Sequence, residues 1–129
     1  MLRKTTHRKG AGFMQNESVQ ERLDTFFEYM AKFSEQHPEI ASSFMTLTGN
    51  IMQDGALGAK EKELIAVGIA TGLNCVSCIY AHTKSALSLG ASPEEVLEAA
   101  AVAVTMGGGP GMAHVAEVMK ALEAFSEKG

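Results

Sequence analysis

The chain has no tryptophan, three prolines, two cysteines and an aromatic content of only 6% among its 129 residues. No segment shows the strict apolar-polar alternation of a half-buried strand, and no internal repeat stands out. A β-rich or repeat architecture is therefore not expected. Basic residues are not in excess: 11 Lys and Arg against 15 Asp and Glu give a formal charge of -4 and a pI near 5.5. No broad cationic surface is available for nucleic acid. The first residues lack the apolar run of a secretory signal. Two cysteines three residues apart cannot staple distant parts of a secreted fold, so a reducing cytoplasm fits best.

What is present is a hydrophobic content of 46% with 20% charged residues, enough for one soluble domain with a core. Residues 1–13 mix Arg3, Lys4, Arg8 and Lys9 with His7 and glycines and read as a flexible basic arm. Residues 14–129 read as one domain. From Asn16, apolar residues recur at three and four (Val19, Leu23, Phe26, Phe27, Met30, Phe33) until His37 meets Pro38, which predicts an amphipathic helix. A second helix is predicted from Pro38, carrying Ile40, Phe44, Leu47 and Ile51 inward until Asp54-Gly55 breaks it. Aromatics concentrate in these two helices, which read as a hydrophobic lid or interface.

The segment Ala59 to Thr71 opens with Lys60, Glu61, Lys62 and Glu63 and then turns apolar, a helix entering the core. Gly72 and Asn74 end it and launch a further helix that Gly90 terminates as a left-handed cap. Ser92-Pro93-Glu94-Glu95 joins an N-cap serine, a first-turn proline and a capping-box glutamate, so another helix starts there. Residues 99–116 carry no Asp, Glu, Lys or Arg, long enough to suggest a bilayer span. The run is rich in alanine, valine and glycine and is interrupted by Gly107-Gly108-Gly109-Pro110-Gly111, so it reads as two closely packed helices with no membrane role. About six helices are expected in all.

The stretch N-C-V-S-C-I-Y-A-H, Asn74 to His82, concentrates the chemistry. On one helix Cys75, Cys78 and His82 return to a common face. With Asn74 as N-cap, both sulfurs fall in the first turn, where unpaired amides and the helix dipole favour negative charge. A thiolate is what this environment stabilises, and thiolate is the reactive form of cysteine. Redox chemistry leads. Two alternatives stand beside it: a metal site using Cys75, Cys78 and His82 with Glu63, and structural cysteines acting as small hydrophobes. Zinc sites of this kind generally draw ligand pairs from separate segments, which weighs against the first. His114, Tyr80 and Ser77 are weaker candidates.

These residues resemble the carboxymuconolactone decarboxylase family, in its alkylhydroperoxidase AhpD-like branch. The likeness runs from the first helix onward and rests on Glu63, Cys75, Cys78 and His82 in the order E-x11-C-x2-C-x3-H, followed by S-P-E-E and M-G-G-G-P-G. It implies an all-α, AhpD-like helical domain assembled as a trimer or hexamer. It also implies reduction of a peroxide by a CxxC pair, with no bound cofactor and with a dithiol or protein thiol as reductant. By resemblance Cys78 attacks, Cys75 resolves, His82 takes the proton and Glu63 assists. AhpD has a histidine between its cysteines where this chain has Ser77. The family's lactone decarboxylases offer another enzyme reading, although that branch does not depend on a cysteine pair.

Overall fold

A serine, a proline and a second serine set where three of the helices begin. Ser18 Oγ accepts from the Glu21 amide at 3.0 Å and the Glu21 carboxylate accepts from the Ser18 amide at 3.1 Å, a reciprocal capping box. Ser92 and Glu95 repeat it at 3.1 and 3.0 Å, and Pro38 occupies a first-turn position that needs no amide proton. The computed structural model describes residues 17–126, so the arm expected over residues 1–13 lies outside the described residues. Among these, five helices and no strand are found: α1 (Val19–Gln36), α2 (Pro38–Met52), α3 (Ala59–Gly72), α4 (Val76–Ser88) and α5 (Pro93–Ser126). The fold is all-α, as expected.

The core is a three-helix cluster of α3, α4 and α5. Val67 and Ala70 meet Ile79 and Ala86 of α4 and Val96, Ala100, Val118 and Ala121 of α5. Complete burial of a valine or isoleucine stabilises by about 1.5–3 kcal/mol, so these contacts carry most of the fold. Gly68 lets α3 and α5 meet at backbone distance: a Cβ there would lie 2.9 Å from the Ala99 carbonyl oxygen. From α1 only Val19 and Leu23 are buried.

α5 contains the break expected at its glycine run. Gly108 adopts φ 58 and ψ -138, and Pro110 follows, so α5 consists of two helical arms that meet at a kink. Counting the arms separately gives the expected six segments. α5 is long and apolar enough by length and composition to cross a bilayer. Its buried residues are instead packed against α3 and α4, on both sides of the bend.

One expectation is corrected. Ile40, Phe44, Leu47 and Ile51 do not face inward: they are 55–64% exposed, and no residue of α2 is buried. Helical periodicity marks an apolar face but does not say what covers it, and here nothing among the described residues does.

Candidate functional site

The site is built on the reversal between α3 and α4. α3 ends in a Schellman turn: the Asn74 amide donates to the Thr71 carbonyl at 3.3 Å and the Cys75 amide to the Ala70 carbonyl at 3.0 Å. That turn needs one left-handed residue, and Asn74, at φ 60, supplies it. Asparagine is one of the few side-chain-bearing residues that occupies this region at low cost. Asn74 is therefore not the N-cap of α4. The cap position falls to Cys75, at φ -96 and ψ 94, whose side chain makes no capping hydrogen bond. Only Cys78 lies inside the first turn, as the third helical residue.

Both cysteines are half-buried and joined to each other as a disulfide with Cα atoms 5.2 Å apart. The Cys75 carbonyl accepts the first bond of α4 from the Ile79 amide at 2.9 Å. One turn beyond Cys78, His82 lies on the same face, where residues four apart place their Cβ atoms about 5–6 Å from one another. α3 runs back alongside, and Glu63 Oε2 sits 2.6 Å from His82 Nδ1. The Glu63 side chain is 13% exposed and that of His82 is 33% exposed, so the pair is sheltered but reachable. A carboxylate only accepts, so this contact selects the tautomer with the proton on Nδ1 and leaves Nε2 as an acceptor. The reversal thus brings Glu63 and His82 together on the helix pair that carries both sulfurs.

A family model for the carboxymuconolactone decarboxylase family matches residues 38–121, from the start of α2 into the second arm of α5. The chain belongs to the carboxymuconolactone decarboxylase family. Among solved members, it is similar to the apo form of a protein from Legionella pneumophila, at 38% identity and a TM-score of 0.81 over 84% of this chain and 96% of that one. A Thermotoga maritima member, described as having a suggested part in an antioxidative response, is 26% identical with a TM-score of 0.74 over 82% of this chain and 91% of its own. An uncharacterised protein of Cupriavidus necator is 32% identical over 81% of this chain and 93% of its own length.

The remaining candidates of this family member lie elsewhere or do other work. Tyr80 donates to the Glu117 carboxylate of α5. Burial, and then the Glu117 bond, push the phenol well above its usual range. Burial works to raise Glu117, but the hydrogen bonds from Tyr80 and Lys120 outweigh it and hold the carboxyl below its usual range. This clamp between α4 and α5 was not legible in the sequence, because 37 residues separate its partners and neither lies in a motif. His114 Nδ1 sits 2.9 Å from the Pro110 carbonyl beside the bend, a structural bond. Ser77 is half-buried between the cysteines. With the two sulfurs bonded to each other, neither is free to ligate a metal in this state, and no cluster of three or more His, Cys, Asp or Glu side chains suited to a metal ion occurs among the described residues.

Proposed function

We propose that this protein is a thiol-dependent oxidoreductase of the AhpD-like branch that reduces peroxides through a Cys75–Cys78 dithiol/disulfide cycle. The observation that carries the reading is the Glu63–His82 pair, 2.6 Å apart, on the same helix hairpin as the disulfide. In the reduced state Cys78 occupies the first turn of α4, where the helix dipole favours thiolate. His82 Nε2 accepts the Cys78 thiol proton directly or through water, and Glu63 stabilises the resulting imidazolium and fixes its orientation. The thiolate attacks a peroxide oxygen: an S–O bond forms, the O–O bond breaks, and the leaving oxygen takes a proton to become an alcohol or water. Cys75 then displaces the sulfenic oxygen as water and the disulfide forms. A dithiol or protein thiol returns the pair to the reduced state. Ser77 leaves the relay as Glu63–His82 alone, without a third group between the cysteines.

We place the protein in the cytoplasm, because its two cysteines fit a cycling pair and not a framework. We also propose a homo-oligomer, trimeric or hexameric, on the strength of the uncovered apolar face of α1 and α2.

The deciding experiment is stopped-flow oxidation of the reduced protein by alkyl hydroperoxide, with mass spectrometry of both cysteines. Cys78→Ser should abolish peroxide consumption, and Cys75→Ser, given a single equivalent of peroxide, should react once and stop at a sulfenic acid. Folded His82→Ala should slow the first step by about 100-fold or more, with a smaller loss for Glu63→Gln. Equal loss in both cysteine variants, or an unchanged first step in His82→Ala, overturns these assignments.

A further inference from the structure

The distance between the two cysteine backbones is set by the helix start and not by the sulfur bond. Cys75 is held on both sides: its amide belongs to the turn that ends α3, and its carbonyl to the turn that begins α4, at 3.0 and 2.9 Å. Cys78 is held by its place in the first turn. Their Cα separation of 5.2 Å falls inside the range of about 4.4–6.8 Å that a disulfide needs. It is also the ordinary spacing of residues three apart at a helix start, so the same backbone suits two thiols and a disulfide alike. Neither residue has to leave its helix for the bond to form or break.

From this geometry we infer that the site resolves its sulfenic acid without local unfolding, and that it thereby resists over-oxidation by its own substrate. The inference rests on the peroxidatic reading of Cys78. After the first peroxide, Cys78 is a sulfenic acid with two fates. In one, the Cys75 sulfur attacks the Cys78 sulfur, an S–S bond forms, the S–O bond breaks, and the oxygen leaves as water with the Cys75 proton. In the other, a second peroxide delivers another oxygen, the sulfur is oxidised to sulfinic acid, and a second alcohol is released. The first path is unimolecular and starts from groups already in place; the second requires encounter with another molecule. A dithiol that had to unwind a helix before closing would leave the sulfenic acid waiting for that motion. Here the waiting step is absent, so a much higher peroxide concentration is needed before the second path competes with closure.

Two measurements test this. In the first, reduced protein receives excess tert-butyl hydroperoxide without reductant, and intact and peptide masses are followed. The parent should lose two hydrogens and stop, whereas Cys75→Ser should gain two or three oxygens at Cys78, at least about 10-fold faster than the parent accumulates them. Serine is itself a favoured N-cap, so α4 is retained in that variant. Sulfinate on the parent at the variant's rate overturns the inference. In the second, amide hydrogen exchange at Asn74, Cys75 and Ile79 is compared between protein reduced with dithiothreitol and protein oxidised with diamide. Protection should agree within about twofold, and a fall of about 10-fold or more in either state overturns the inference. This arm uses no peroxide. If the thiols ignore peroxide, the proposed activity fails on its own and hydrogen exchange still decides whether the pair cycles on a fixed backbone.

Discussion

At Glu95 the local chemistry has a pH signature that can be read with its sign. The Ser92 amide, and next the Lys60 ammonium at 3.1 Å, hold this carboxyl below its usual range. A carboxyl lowered on folding contributes stability that is present above its unfolded value, near 4.3, and is lost as pH falls through the folded value. Acidification should therefore weaken the start of α5 and the Lys60 link from α3 to α5. Urea denaturation at pH 7 and near pH 3 should show a smaller difference for Glu95→Gln than for the parent; an equal difference would remove Glu95 from the acid response. The same residue was legible in the sequence, because Ser92-Pro93-Glu94-Glu95 is a local signal whose partners lie three residues apart. Asn74 was not. Its side chain suits both an N-cap and a left-handed turn, and the choice is made by how closely α4 must follow α3, with three residues between them.

Among the helices, the α3–α5 contact tolerates least change. Gly68 meets the Ala99 backbone so closely that an added methyl group must push the helices apart, since a carbonyl on a packed helix cannot turn aside. Gly68→Ala should cost about 1–3 kcal/mol despite alanine's better helix propensity. A thermal melt equal to or above the parent's would show that the pair relaxes freely. Helix starts and stops at Ser92, Pro38 and Gly90 were legible because each depends on neighbouring residues. The Glu63–His82 contact was legible only through the family motif, as its partners stand 19 residues apart on different helices. Which face of α2 would be covered was not legible at all, because covering depends on atoms outside the helix.

Across the whole molecule, apolar surface is distributed unevenly. Phe27, Tyr29, Phe33 and Phe44 are 54%, 58%, 42% and 64% exposed, all on α1 and α2. At about 150–250 Å² per aromatic side chain, these four leave roughly 400 Å² open to water. Their sum is of the size of the largest patch usual on a monomer, about 300–600 Å², and Ile40, Leu47 and Ile51 of α2 add to the exposed total. Self-association through α2 should appear in sedimentation velocity at micromolar concentration. Phe44→Glu should shift the protein toward monomer with its helical circular dichroism intact, because Phe44 supports no core contact. A parent that sediments as a monomer would remove the assembly.

The bend in α5 also has a genetic meaning. At Gly108 every amino-acid replacement adds a Cβ to a backbone at φ 58 and ψ -138, a region essentially reserved for glycine. All missense changes in that codon should therefore be depleted together, regardless of size or charge. Next door, a Cβ at Gly107 meets Gly72 only at the ordinary van der Waals distance of 3.7 Å and φ is not in the left-handed region, so alanine there gains helix propensity without strain. A saturation library selected for soluble protein should admit alanine at codon 107 and no replacement at codon 108, and equal tolerance at the two would mean that the bend is not held at Gly108.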